Sequence, residues 1–183
     1  MGTLRYGMSC SVDGYVTDPG GGIGWTAPSE DAHAFVNALT RDVRVFVMGR
    51  RMFETMRVWD TWPAGSSAVE DEFAGIWRQA DKIVCSDSLS TLDAPRTTLE
   101  PRLTTARLAQ VVAAADGVVE VSGPTTAAEA LRAGMVDDLR LFVVPRLVGG
   151  GVRALPEGAS TALRLTDQRV FSDGAVYLRY ARS

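Results

Sequence analysis

Short apolar runs alternate with longer segments of helical periodicity along this chain, and that alternation is what most constrains its fold. Residues 43–48, 82–85 and 118–121 are largely apolar runs of strand length. Runs of this kind are typical of a parallel sheet whose two faces are both covered by helices. The sequence therefore predicts an α/β fold with a largely parallel central sheet.

The predicted elements fill the chain without a repeat, a low-complexity tract or a linker. Strands are expected at 4–12, 43–48, 82–85, 118–121, 138–144, 163–170 and 176–180. Helices are expected at 30–40 with Ser29 as N-cap, from 49–51 onward, at 69–79, at 104–115 and at 125–133, whereas 86–102 is mainly irregular. The D-G pair at 173–174 predicts a hairpin turn between the last two strands. We expect one domain over residues 1–183.

The charge and side-chain inventory excludes several classes of function. The chain has 19 Lys and Arg against 22 Asp and Glu, for a net charge of −3, and no basic block, so no nucleic-acid groove is expected. His33 is the only histidine, and Cys10 and Cys85 are far apart in sequence, which argues against a metal site. No apolar stretch approaches the ~20 residues of a membrane helix. We expect a cytoplasmic protein with free thiols and no membrane partner.

Two strand-to-helix junctions are candidate phosphate sites. One has the sequence M-G-R-R at 48–51 and the other V-S-G-P-T-T at 121–126. Free backbone N–H groups and the helix dipole favour an anion at such a position. Each junction taken alone is better explained by a plain helix cap, but two at one sheet edge indicate a long phosphate-bearing ligand such as a dinucleotide.

The glycine cluster at 20–24 is not a dinucleotide-binding fingerprint, because it neither follows a strand at once nor leads directly into a helix. It is either a mobile loop beside a site or a surface turn.

Acidic side chains follow this loop at the start of the first predicted helix. Glu30 or Asp31 is a candidate for hydrogen-bonding a heterocycle or supporting its protonation, although the helix dipole alone also explains an acid there. His33 lies one turn after Glu30 and either lines the same pocket or is an ordinary half-buried histidine.

Several strings together resemble dihydrofolate reductase and the reductase domain of riboflavin-biosynthesis enzymes, including its stand-alone relatives. They are S-V-D-G at 11–14, G-W with a proline and an acid at 24–30, V-M-G-R-R-M-F-E-T at 47–55, L-R-A-G-M-V-D-D-L at 131–139 and V-P-R-L-V-G-G-G at 144–151. The resemblance spans essentially the whole chain. It implies a three-layer fold with a mostly parallel sheet of about eight strands and a C-terminal antiparallel hairpin. The implied activity is hydride transfer from NADPH to a pteridine or related pyrimidine.

The resemblance also implies roles for individual residues. The implied cofactor-binding residues are Ser9, Ile23, Gly49, Arg50, Arg51, Met52, Ser86, Ser122, Gly123, Pro124, Thr125 and Thr126, with a cis peptide between Ser122 and Gly123. The implied substrate-binding residues are Trp25, Glu30, His33 and Phe53, and Glu30 or Asp31 is the candidate catalytic acid. Because Asp87 follows Ser86, which matches a contact to the 2′-phosphate, NADH remains an alternative to NADPH.

Two hypotheses of function follow from these observations. The first is an NADPH-dependent reductase acting on a small heterocycle. The alternative is a catalytically inactive nucleotide-binding or dimerising module on the same fold, since a fold does not guarantee an activity. Related reductase domains pair through the C-terminal hairpin, so we expect a homodimer.

Overall fold

The computed structural model describes residues 2–183 as eight strands and five α-helices, with two short 3-10 helices at Gly24–Thr26 and Arg57–Asp60. The strands are β1 (Thr3–Ser11), β2 (Val43–Gly49), β3 (Asp81–Cys85), β4 (Thr97–Glu100), β5 (Val118–Ser122), β6 (Asp138–Val144), β7 (Leu163–Val170) and β8 (Val176–Arg182). The helices are α1 (Glu30–Thr40), α2 (Arg50–Met56), α3 (Ala68–Gln79), α4 (Thr105–Ala114) and α5 (Pro124–Arg132).

All eight strands form one sheet in the order β4-β3-β2-β5-β1-β6-β8-β7. The first six strands of that order are parallel to one another, and β8 runs antiparallel to both β6 and β7. The mostly parallel sheet and the antiparallel C-terminal hairpin are therefore confirmed. Because β1, β2 and β5 lie side by side, their carboxyl ends meet at one edge.

Helices cover both faces of the sheet. On one face, α4 and α5 pack against Leu4, Val121 and Leu139, which are all buried. On the other face, α1 and α3 pack against strand residues that include Phe46 and Val84. Burial of both faces explains why the central strands are largely apolar runs rather than alternating ones.

The structure differs from the sequence-based expectation at β4, which lies inside the segment expected to be mainly irregular. This strand has four residues, all of them at least partly exposed. It shows no apolar alternation because it lies at the sheet edge, and it forms by pairing with β3.

The opposite edge strand, β7, is exposed at all eight of its positions. Its apolar members include Leu163, Leu165 and Val170. Among the described residues, none of the helices has both the length and the apolar character that a membrane crossing requires.

Candidate active site

A cavity of about 1040 Å³ lies at the carboxyl ends of β1, β2 and β5. Its wall is formed by the ends of these strands, by the first turns of α2 and α5, and by one side of α1. Ligands of open α/β sheets bind at this edge, because the strands end there and the helices that follow begin there. Ser9 and Ile23 lie on the cavity wall, as does the whole of 49–52 and 122–126.

The two strand-to-helix junctions pack against each other within this wall. A Cβ added to Gly49 would lie 2.7 Å from Thr126 Oγ1, and one added to Gly123 would lie 3.6 Å from Met52 Cβ. Two segments that are more than 70 residues apart in sequence thus form one continuous surface. The close approach is possible because position 49 carries no side chain.

The peptide between Ser122 and Gly123 is trans, since residues 2–183 contain no cis peptide bond. The cis bond implied by the family resemblance is therefore wrong for this chain. Gly123 instead adopts φ 90° and ψ 127° directly before α5. A glycine turns the chain in this way with a trans bond, which avoids the roughly 3–4 kcal/mol that a cis bond costs at a residue other than proline.

Basic and hydroxyl side chains line the outer part of the cavity. Arg50 and Arg51 are exposed at its rim, where Arg50 Nε donates to Glu54 Oε1 at 2.6 Å and its Nη1 donates to Ser88 Oγ at 3.3 Å. Ser88 also lines the cavity. Ser86 lies just behind this wall, where its Oγ accepts hydrogen bonds from the backbone N–H groups of Ser88 and Leu89. These residues present cations and hydroxyl groups toward a ligand at this end.

The two acids at the start of α1 lie outside the lining of this cavity. Asp31 accepts hydrogen bonds from the backbone N–H and the Oγ of Ser172, at 3.1 and 2.7 Å, and from Ser29 Oγ at 2.7 Å. Ser29 is the N-cap residue, but its hydroxyl bonds to Asp31 instead of capping the helix backbone. These hydrogen bonds lower the pKa of Asp31 to about 2. Asp31 therefore holds the turn of the C-terminal hairpin against α1, while Glu30 is exposed.

The remaining predicted substrate residues are dispersed. His33 lines a smaller cavity of about 220 Å³, and burial lowers its pKa, which favours the neutral imidazole. Trp25 donates from Nε1 to the backbone oxygen of Gly22 and lies outside both cavity linings. Phe53 is buried in the core beside Phe46. Their assignment as substrate-binding residues stays a prediction.

Two charged residues of the inner cavity wall were not singled out from the sequence. Glu120 on β5 and Arg140 on β6 line its inner part, below α1. Burial raises the pKa of Glu120, and the neighbouring guanidinium groups of Arg5 and Arg140 oppose that shift. The available signal was a charged side chain inside each of two otherwise apolar runs, V-V-E-V-S and L-R-L.

A family model described as the RibD C-terminal domain matches residues 3–178. No curated protein matches the chain. The solved structure of a protein from Shewanella sp. PV-4, named for riboflavin biosynthesis, superposes with a TM-score of 0.75 at 21% identity, covering 100% of this chain and 99% of that one.

Two further structures show the same fold at lower identity. The diaminohydroxyphosphoribosylaminopyrimidine deaminase/5-amino-6-(5-phosphoribosylamino)uracil reductase of Thermotoga maritima gives a TM-score of 0.68 at 13% identity, over 99% of this chain and 56% of that one. Dihydrofolate reductase from Enterococcus faecalis, in complex with NADP(H), gives a TM-score of 0.65 at 14% identity and covers 99% of this chain and 96% of that one. The chain thus spans just over half the length of the Thermotoga enzyme. These similarities confirm the expected dihydrofolate reductase-like fold.

Proposed function

The chain belongs to the RibD C-terminal domain family, and from this premise we propose that it is a reductase that transfers a hydride from NADPH to a pteridine or pyrimidine-type heterocycle. The family points to a reductase-type enzyme. The observation that carries the finer proposal is that the two junctions, 49–52 and 122–126, line one cavity together. A ligand long enough to contact both, with anionic groups near them, fits a dinucleotide.

The cavity wall has the chemistry that such a cofactor needs. The absence of a side chain at Gly49 lets the two junctions pack closely, so that they present one continuous surface to a ligand. At the start of α5, the backbone N–H groups and hydroxyls of Thr125 and Thr126 are available to a pyrophosphate. Arg50 and Arg51 add two cations at the rim. Because cations attract the 2′-phosphate that NADPH carries and NADH lacks, they favour NADPH.

When bound, the nicotinamide cofactor supplies the hydride, so the chain's own residues need to bind, orient and exclude water. Ser9, near the carboxyl end of β1, offers backbone groups to the carboxamide, and Ile23 also lines the cavity. Phe142 on β6 and Val36 on α1 provide apolar walls of the cavity. Such walls keep water away from the reacting carbon.

The experiment is a titration of the protein with NADPH, followed by assay of NADPH oxidation in the presence of dihydrofolate, dihydropterin or an aminopyrimidinone. Arg51→Ala removes one charge-assisted contact to phosphate and raises the Kd for NADPH by about 10-fold or more. Arg102→Ala is the matched control, because Arg102 is exposed and lies outside the cavity lining. NADPH binding without turnover of any of these heterocycles favours the inactive nucleotide-binding module instead, and no binding at all rejects the proposal.

We also propose that the protein is a homodimer that pairs through the C-terminal hairpin. An edge strand exposed along its entire length presents unpaired backbone groups and apolar side chains to a second copy. Val170, at 70% exposure, is the most exposed apolar residue of this strand. Sedimentation of the wild type as a dimer, and of Val170→Glu as a monomer, is the expected result. A wild-type monomer at micromolar concentration contradicts it.

A further inference from the structure

The inner end of the cavity, below α1, contains two opposite charges on strands that flank β1. Arg5 and Glu120 are register partners across β1 and β5, and Gly7 and Arg140 are partners across β1 and β6. Paired positions point to the same face, so Glu120 and Arg140 stand on either side of the position of Gly7. Because Glu120 is level with Arg5 and Arg140 is level with Gly7, their backbones are separated by two strand spacings of about 4.8 Å and by a stagger of two residues along the strands.

The carboxylate of Glu120 is only partly engaged by the protein. Its Oε2 lies 3.6 Å from Arg5 Nη1, but that guanidinium forms its shorter bonds, 2.8 and 2.9 Å, to Asp42. Oε1 lies 3.8 Å from where a Cβ of Gly7 would stand. The side chain is 17% exposed, and Glu120 lines the cavity. One carboxylate oxygen is therefore directed over an empty position in the cavity floor.

Arg140 is held so that part of its guanidinium is left available. Its Nε and Nη2 donate to Asp138 at 3.1 and 2.7 Å, and Arg179 also donates to this carboxylate. No hydrogen bond from Arg140 Nη1 occurs within the part of the chain that the structure describes. Asp138 is shared with Arg5 and Arg179, so it balances only part of the charge of Arg140, and what Arg140 offers to the cavity is an oriented, positively charged N–H donor.

The side walls around this pair are apolar. Phe46 and Phe142 come from the sheet, and Val36 and Leu39 come from α1. Gly7 between the two charges has no side chain, which leaves depth that any larger residue would remove. The inner end thus combines flat apolar walls with one acceptor and one donor at its floor, as a pocket for a planar ring requires.

We propose that Glu120 and Arg140 form the subsite that recognises the polar edge of the heterocycle, with Glu120 accepting from an amino or ring N–H group and Arg140 donating to an adjacent carbonyl oxygen. The inference rests on the proposed function, since it places the ring of the substrate in that same cavity. The substrate class it names is an uncharged aminopyrimidinone, either alone or as part of a pteridine. The negative charge of Glu120 disfavours a phosphate beside its carboxylate.

A purely structural ion network is the competing explanation. Removing Glu120 or Asp42 would then have similar consequences, because both pair with Arg5. The two residues differ in the feature that matters for ligand recognition. Glu120 lines the cavity, whereas Asp42 has a side chain that is 57% exposed and lies outside the lining. Asp42→Asn is therefore the matched control.

The test measures binding of 2-aminopyrimidin-4-one by calorimetry to the full chain and, separately, binding of NADPH. Glu120→Gln loses the charge of the acceptor, so we expect the Kd of the pyrimidinone to rise about 10-fold. In Asp42→Asn the Kd stays within 2-fold of wild type, and the Kd for NADPH stays within 2-fold in both variants. 4,6-Dimethylpyrimidine lacks the amino and ring N–H donors that Glu120 would recognise, so this probe is expected to bind equally to all three proteins.

Gly7→Val tests the same subsite without removing a charge. Its two γ-carbons occupy the space over the cavity floor, so pyrimidinone binding falls at least 10-fold while the melting temperature is not lowered. This variant keeps the inference testable if Glu120→Gln does not fold. Equal effects of Glu120→Gln and Asp42→Asn, no effect of Gly7→Val, or displacement of the pyrimidinone by inorganic phosphate would each overturn the inference.

The outcomes separate this inference from the proposed function. If the wild type binds NADPH but not the pyrimidinone, the subsite assignment fails and the cofactor assignment stands. If it binds the pyrimidinone in a manner dependent on Glu120 but does not bind NADPH, the subsite stands and the reductase proposal fails.

Discussion

Replacing Gly49 with alanine places a methyl group where the two strand-to-helix junctions meet. The added Cβ would lie 2.7 Å from Thr126 Oγ1, well inside an ordinary van der Waals contact. Thr126 relieves this overlap with difficulty, because a β-branched side chain has few χ1 choices in a helix. We therefore expect α5 to shift away from α2 and the cavity wall between them to open.

The size of the expected destabilisation follows from the cost of overpacking in other proteins. Forcing an extra methyl group into a packed site destabilises a protein by about 1–3 kcal/mol. In a chain of this length, a loss of about 2 kcal/mol lowers the melting temperature by roughly 4–8 °C. Because both junctions belong to the proposed cofactor site, NADPH affinity falls together with stability.

The assay is a double-mutant cycle with Thr126→Ala, which removes the atom that the new methyl group would meet. Urea unfolding of the four proteins gives the coupling free energy. The double variant is expected to be more stable, by at least about 1 kcal/mol, than the sum of the two single effects predicts. Gly75→Ala is the matched control, since a Cβ at that position in α3 has no neighbour within 4 Å. It should stabilise the protein by about 0.5–1 kcal/mol. Additive effects of Gly49→Ala and Thr126→Ala would refute the contact.

Two further predictions concern the charged residues. Arg5→Ala leaves the carboxylate of Glu120 without its nearest cation, and a loss of about 3–5 kcal/mol is expected in urea unfolding; a loss below 1 kcal/mol contradicts it. Asp31→Asn weakens the contact between α1 and the hairpin turn, so amide exchange at Ser172 accelerates. Since the pKa of Asp31 is lowered from 3.8 to about 2, the stability that Asp31 contributes is complete above pH 4 and is lost as the pH falls toward 2. An unchanged acid transition in Asp31→Asn would contradict this role.

Local sequence pattern was sufficient for most of the fold. Residues 118–121 and 138–144 were expected as strands from their apolar runs, and both appear in the structure within one residue of those bounds. The D-G turn at 173–174 predicted the last hairpin, whose strands pair antiparallel. Such elements are predictable because their signals lie within a few neighbouring residues.

Local pattern also indicated which two strand-to-helix junctions would lie at the same sheet edge. The segments 49–52 and 122–126 were expected to serve one ligand, and both line the same cavity. What this arrangement binds stays a prediction. The cis bond before Gly123 was wrong, because resemblance to a family carries over a motif but not the backbone geometry that each chain adopts around it.

The strands, the helices and the class of sheet follow from the order of apolar and polar residues, because periodicity is a local property of the chain. The juxtaposition of Gly49 with Thr126, the use of Asp31 to hold the hairpin, and the placement of Glu120 and Arg140 on either side of Gly7 depend on strand order and register. Strand register is set by the packing of all layers together, so it cannot be predicted from any single segment of the sequence. A charged residue in a buried strand was visible in the sequence, but only the folded sheet shows which cavity it faces.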